Sequence, residues 1–114
     1  MEAARALADL VEISPQIEAA AVVTAEGGLD GSVGVPETRA GVLGRSVREL
    51  LEGAAGFRSE GRVTQLYAEL ADGDVFAVTD ADGRAIVAVT HGRPAPGLVL
   101  YDLKRCLAAV ADEA

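Results

Sequence analysis

The sequence predicts an α/β (α+β) fold with helices on both faces of a five-stranded antiparallel sheet. Residues 63–90 form three apolar runs separated by Asp-Gly pairs at 72–73 and 82–83, and Asp-Gly between apolar runs is typical of β-hairpins. The last run, 84–90, has almost no polar alternation, which predicts a strand covered on both faces. Segments with helical spacing of apolar residues lie before, between and after the strands.

The first two strands follow a short helix. Apolar spacing predicts a helix over 2–13 that ends at Ser14, because the residue before a proline avoids the α region. A strand is predicted over 17–24, and a glycine turn at 26–28 connects it to a strand over 29–33.

The middle helix is predicted to run from Pro36 to about Ala55, where Gly56 ends it. Gly41 and Gly44 lie inside it, and each costs about 1 kcal/mol relative to alanine in a helix. We expect a packing reason for both glycines, namely close approach of the helix to the sheet or to another helix.

The second half of the chain predicts a three-stranded meander over 63–71, 74–80 and 84–90, followed by a helix over 98–112. Both Asp-Gly turns are expected to be type I′, with positive φ at the aspartate and at the glycine. The predicted element order is therefore α-β-β-α-β-β-β-α.

One edge of this sheet is predicted to be open. If the last strand lies beside the first, the edge strands are 29–33 and 63–71. The second of these is long and apolar and contains neither proline nor lysine, so it lacks the usual protection against pairing. The simplest partner is a second copy of the chain, related by a two-fold axis.

Length and composition predict a single domain spanning residues 1–114. Half of the residues are hydrophobic, which is enough for a core without metal or disulfide staples. Cys106 is the only cysteine, so we expect a reducing, cytoplasmic setting. We expect neither a signal peptide nor a membrane span, since no apolar run approaches the ~20 residues that a span needs.

The net charge of −8 argues against nucleic-acid binding and anionic membranes as partners. The charge is uneven, because residues 36–62 sum to +1 and the remainder to −9. Residues 36–62 therefore form either an ordinary solvated helix face or a partner surface that differs in sign from its surroundings.

From residue 7 to 110 the chain resembles a roadblock / dynein-light-chain domain. The segments that carry the resemblance are IEAAAVVTAEGGLDGS (17–32), the alanine- and glycine-bearing middle helix, VFAVTDADGRAIVAV (75–89) and the start of the last helix at 96–99. Longin and profilin-like folds are related and give a similar pattern.

The resemblance implies a non-catalytic platform rather than an enzyme. Roadblock proteins are usually homodimers or heterodimers that pair edge strands and place their middle helices side by side. In bacteria and archaea they often regulate a Ras-like small GTPase, and in eukaryotes they serve dynein and lysosomal scaffolds. We therefore expect a bacterial homodimer that binds and regulates such a GTPase.

Element matching transfers two surfaces to this chain. The dimer edge comprises Val63, Gln65, Leu66, Tyr67 and Glu69, and the partner-binding outer face of the middle helix comprises Arg45, Arg48, Glu49 and Glu52. We expect that reversing the charge of either arginine weakens the complex and leaves the fold intact.

No chemical motif competes with this interpretation. Gly44-Arg45-Ser46 lacks the first glycine and the lysine of a phosphate loop. Residues 80–83 have the wrong spacing for a calcium loop, and one histidine, His91, with one cysteine is too little for a catalytic set or metal site. We expect no catalytic residue, no metal and no cofactor.

Two other function classes stay open at this point. One is a purely structural dimerisation module in a signalling or motor assembly. The other is a profilin-like or PAS-like sensor that binds a small molecule, which would need a cavity with convergent polar groups. The sequence also leaves open a heterodimer with another roadblock chain.

Overall fold

The predicted element order is confirmed. The structure, a computed structural model, describes residues 1–57 and 63–112. Its elements are α1 (Ala3–Ile13), β1 (Ile17–Val23), β2 (Leu29–Val33), α2 (Glu37–Ala55), β3 (Gln65–Glu69), β4 (Gly73–Thr79), β5 (Ala85–His91) and α3 (Pro96–Ala111).

The five strands form one sheet in the order β2-β1-β5-β4-β3, and every neighbouring pair is antiparallel. The predicted contact between the first and last strands is confirmed by pairing of β1 with β5. The edges are therefore β2 and β3, as expected from the sequence.

The helices cover opposite faces of this sheet. α1 and α3 bury Leu7 and Leu103 against Phe76 of β4 on one face. α2 buries Val47 and Leu51 on the other face. β1 and β5 lie in the middle and are buried on both faces, which explains why these strands are apolar with so little alternation.

The prediction of two type I′ turns is wrong, because no non-glycine residue in the described ranges has a positive φ. Between β4 and β5, the Gly83 N–H donates to the Asp80 carbonyl at 3.2 Å and Gly83 has φ of 88°. The Asp80 carboxylate accepts the N–H groups of Asp82 and Arg84. These hydrogen bonds to the Asp80 carboxylate thus favour a turn in which only Gly83 has a left-handed backbone conformation.

Gly44 confirms the packing expectation, and Gly41 does not. A Cβ on Gly44 would lie 2.5 Å from Cγ1 of Val23, so only glycine lets α2 approach β1 this closely. A Cβ on Gly41 would meet only the Arg45 guanidinium, at 3.5 Å. Nothing within the described chain requires glycine at position 41.

Candidate dimer edge and partner-binding helix

Strand β3 is shorter than predicted, and its ends are fixed by contacts within the chain. Val63 precedes the strand, packs half-buried on the α2 side of the core, and its carbonyl accepts a hydrogen bond from Thr79 Oγ1 at 2.9 Å. The prediction that Val63 belongs to the edge strand is therefore wrong. At the other end, Arg93 donates to the carbonyls of Leu70 and Ala71, in the turn that leads to β4.

Alternate residues of β3 present free backbone groups to the edge. Thr79 N–H donates to the Thr64 carbonyl at 3.0 Å, and Leu70 N–H donates to the Gly73 carbonyl at 2.9 Å. Hydrogen-bonded and non-hydrogen-bonded pairs alternate in an antiparallel ladder. The backbone N–H and C=O groups of the even-numbered residues from 64 to 70 therefore point toward β4. The backbone groups of Gln65, Tyr67 and Glu69 therefore point outward from the sheet.

The side chains of β3 divide between the two faces of the sheet. Tyr67 stacks on Phe76 on the α1–α3 side, with ring centroids 4.9 Å apart and an interplanar angle of 15°. Gln65 and Glu69 share that side by alternation. Partial burial, followed by the Asp74 and Glu69 carboxylates, raises the pKa of Tyr67 above its usual value, so its hydroxyl stays neutral at physiological pH.

The α2-facing side of β3 and β4 is only half covered. α2 packs mainly on β1, β2 and β5, which leaves Leu66, Ala68 and Val75 half-buried. α2 itself exposes Val42 and Leu50, which are 54% and 55% accessible. Apolar side chains are therefore accessible both on the α2-facing side of the open edge and on α2 itself.

Arg48 corrects the predicted partner surface. Its Nη2 donates to the carbonyls of Thr24 at 3.1 Å and Gly83 at 3.0 Å, at the tips of two hairpins. The side chain is half-buried, and its Nε has no hydrogen-bond partner among residues 1–57 and 63–112. Arg48 is thus a brace between α2 and the sheet, and charge reversal there is expected to damage the fold, contrary to the prediction from sequence.

The sequence contained a signal for this role. Arg48 lies four residues after Gly44 and three before Leu51, so all three occupy the buried side of α2. The other predicted partner residues, Arg45, Glu49 and Glu52, are exposed. In the part of the chain that the structure describes, no ion pair joins Arg45 to Glu49 or Arg48 to Glu52. Their role in partner binding stays a prediction.

Sequence reasoning missed an ion pair at the end of β3. Asp74 is fully buried and pairs with Arg93 of the β5–α3 loop, which also donates to the Gly73 carbonyl. The Tyr67 hydroxyl lies 3.5 Å from the Asp74 carboxylate. Asp74 and Arg93 are far apart in sequence, so no local spacing signals the pair.

The remaining polar residues show no catalytic arrangement among the described ranges. Burial, and then the charge of Asp9, raises the pKa of the Cys106 thiol to about 11, which disfavours the thiolate. Arg84 holds the Asp80 and Asp82 carboxylates at 2.9 and 3.0 Å. Within 1–57 and 63–112, no cluster of His, Cys, Asp and Glu is suited to hold a metal ion. No helix in these ranges is long and apolar enough to cross a membrane.

Comparison with known proteins identifies the fold. The sequence matches no protein-family profile and no curated protein. A Roadblock/LC7 domain from Streptomyces avermitilis superposes with a TM-score of 0.83 at 19% identity, covering 93% of this chain and 92% of that one. Myxococcus xanthus MglB gives 0.77 at 16% identity, covering 92% and 81%. LokiProfilin1, from a complex with rabbit actin, gives 0.66 at 14%, covering 96% and 94%.

These similarities show that the chain has the Roadblock/LC7 fold, with profilins as structural neighbours. The resemblance seen in the sequence is therefore confirmed at the level of the fold. At these identities the fold is all that the comparisons establish, and the function depends on the surfaces described above.

Proposed function

We propose that the protein is a non-catalytic homodimeric regulator that binds a Ras-like small GTPase. The observation that carries the proposal is the β3 edge, a regular strand with free backbone groups beside a half-covered apolar face. The Roadblock/LC7 fold supports it, because the sequence resemblance implies this role for bacterial and archaeal chains.

The open edge favours a second copy as the first partner. Unpaired N–H and C=O groups on a regular edge strand favour strand addition, and an isologous two-fold contact supplies an identical strand. The half-buried Leu66 and Val75, with the exposed Val42 and Leu50 of α2, supply apolar area for the same contact. This arrangement would place the two α2 helices near each other.

The α2 surface is the proposed GTPase site. Arg45, Glu49 and Glu52 are exposed there without ion pairs inside the described chain. The exposed charges of α2 are mixed in sign, with two arginines and three glutamates: Arg39, Arg45, Glu37, Glu49 and Glu52. In this non-catalytic role, the dimer would shift the GTPase between switch conformations only by its differential affinity for them.

The test is binding of the purified chain to Ras-like GTPases of its source organism, each loaded with GDP or with a non-hydrolysable GTP analogue. We expect one nucleotide state to bind more tightly, and Arg45→Glu to weaken that binding about tenfold. Arg5→Glu on α1 is the matched control, because Arg5 is an exposed arginine on the opposite side of the sheet. Absence of binding in both nucleotide states would refute the proposal.

The same experiment separates the structural alternative. Equal affinity for both nucleotide states, with unchanged hydrolysis, would favour a dimerisation module. The small-molecule alternative rests on a groove of about 260 Å³ between α1 and α3, lined largely by apolar residues. A ligand there would raise the melting temperature of the protein, and the rise would grow with the logarithm of ligand concentration above the dissociation constant.

A further inference from the structure

We propose that two copies pair through β3 in a single register, with Tyr67 of one copy directly opposite Tyr67 of the other. In this register Gln65 lies opposite Glu69, and Leu66 lies opposite Ala68. The inference rests on the homodimer of the proposed function and adds the residues that set its geometry and its preference for itself.

The backbone limits the possible ladder to three residues. Only Gln65, Tyr67 and Glu69 point their N–H and C=O groups outward within β3. On each side of these three residues the next odd-numbered carbonyl is already engaged: the Val63 carbonyl accepts a hydrogen bond from Thr79 Oγ1, and the Ala71 carbonyl accepts one from Arg93 Nη2. Among the described residues, a second copy therefore finds three with outward N–H and C=O groups, and beyond them on either side a carbonyl that already accepts a hydrogen bond.

Two-fold symmetry then selects the register. When Tyr67 faces Tyr67, every outward residue of one copy meets an outward residue of the other, and all of their backbone groups are paired. A slip of two residues in either direction leaves one outward residue of each copy without a partner. A slip of one residue sets the outward backbone groups of one copy against residues of the other copy whose backbone groups point toward β4, so no ladder forms.

Side-chain chemistry favours the same register. Gln65 opposite Glu69 sets an amide donor against a carboxylate acceptor, and symmetry makes this pair twice. A slip of four residues brings Glu69 opposite Glu69 and sets like charges against each other, which is unfavourable. On the α2-facing side, Leu66 opposite Ala68 combines a large with a small side chain, whereas slipped registers place two leucines or two alanines together.

Disulfide trapping distinguishes these registers. Leu66 and Ala68 fall in non-hydrogen-bonded pairs, where Cα atoms about 4.5 Å apart suit a disulfide. We would make Leu66→Cys and Ala68→Cys separately in a Cys106→Ser background, with a mass tag on one of them. Each is oxidised alone and in an equimolar mixture, after the native mass of the reduced protein has been recorded.

The proposed register predicts covalent dimers only in the mixture, and only between the tagged and untagged chains. Efficient cross-linking of Leu66→Cys alone, or of Ala68→Cys alone, would establish a slipped register and overturn the inference. Ser32→Cys on the opposite edge, β2, is the matched control, and cross-linking there would show that the wrong edge pairs.

The outcome for the register and the outcome for the dimer are separable. A reduced protein that is monomeric at tens of micromolar would refute the homodimer itself. A dimeric mass without a disulfide in any sample would keep the homodimer and overturn pairing through β3. A folded state in both cysteine variants is verified by circular dichroism, so that loss of structure is not mistaken for loss of contact.

Discussion

The two edge strands of the sheet, β2 and β3, differ in how far the helices cover them and in how regularly they pair with their neighbours. β2 contacts α1 on one face and α2 on the other, and its pairing with β1 is interrupted by a register shift at Val22/Val23. Gly31 lies so close to α1 that a Cβ would be 3.0 Å from Ala3 Cβ. β3 pairs with β4 without interruption and has a half-covered face.

This difference indicates that one half of the sheet stabilises the monomer and that the other half supports association. The half with β2 and β1 is closed by contacts within the chain, so changes there should lower the stability of the monomer. The β3 edge is regular and open, so changes there should lower association and spare the fold.

Leu66→Asp should abolish the dimer. It places a charge on the face that the second copy would cover, and desolvating an unpaired charge is expected to weaken association at least about a hundredfold. Asp30→Lys, which changes the charge of an exposed side chain on β2, is the control and should leave the dimer mass unchanged. Light scattering over a concentration series measures both, and a stable Leu66→Asp dimer would contradict the division.

Arg48→Ala should lower the stability of the fold without weakening association. The change removes hydrogen bonds to two hairpin tips, which together contribute about 2 kcal/mol to the free energy of unfolding. Arg45→Ala, on the exposed side of the same helix, should change that free energy by less than about 0.5 kcal/mol. Urea denaturation measures both, and equal effects would argue against the brace.

Gly44→Ala should destabilise the fold by about 1–2 kcal/mol, because the strain of a Cβ placed 2.5 Å from Val23 outweighs the helix propensity of alanine. Gly53→Ala is the control within the same helix. A Cβ there meets nothing within 4 Å, so this change should stabilise the protein by about 0.5–1 kcal/mol. Similar melting temperatures for the two variants would show that α2 does not approach β1 this closely.

Gln65→Glu should have the smallest effect, a dimer dissociation constant raised by about tenfold. It places like charges at positions 65 and 69 of opposing strands, and symmetry repeats the repulsion. Adding Glu69→Lys should reverse the loss by making both pairs attractive. Analytical ultracentrifugation measures the constant, and failure of the second change to compensate would mean that residues 65 and 69 do not face each other.

Most of the fold was predictable because local chemistry and periodicity determine it. The apolar run of β5 indicated a central strand, and Ser14-Pro15 marked the end of α1. The positions of Arg48 and Val63 were misjudged because both depend on long-range contacts, with hairpin tips and with Thr79. The Arg93–Asp74 pair was missed for the same reason. The open edge was anticipated, but its limits at Val63 and Ala71 required the structure.

The most direct test of the account is hydrogen exchange of individual β3 amides, measured by NMR at low and high protein concentration. The amide N–H groups of Leu66 and Ala68 point toward β4 and should be protected from exchange at both concentrations. Gln65, Tyr67 and Glu69 should exchange freely when dilute and become protected together as the dimer forms. If these three amides stay unprotected at a concentration where the mass is dimeric, β3 is not the edge that joins the two copies.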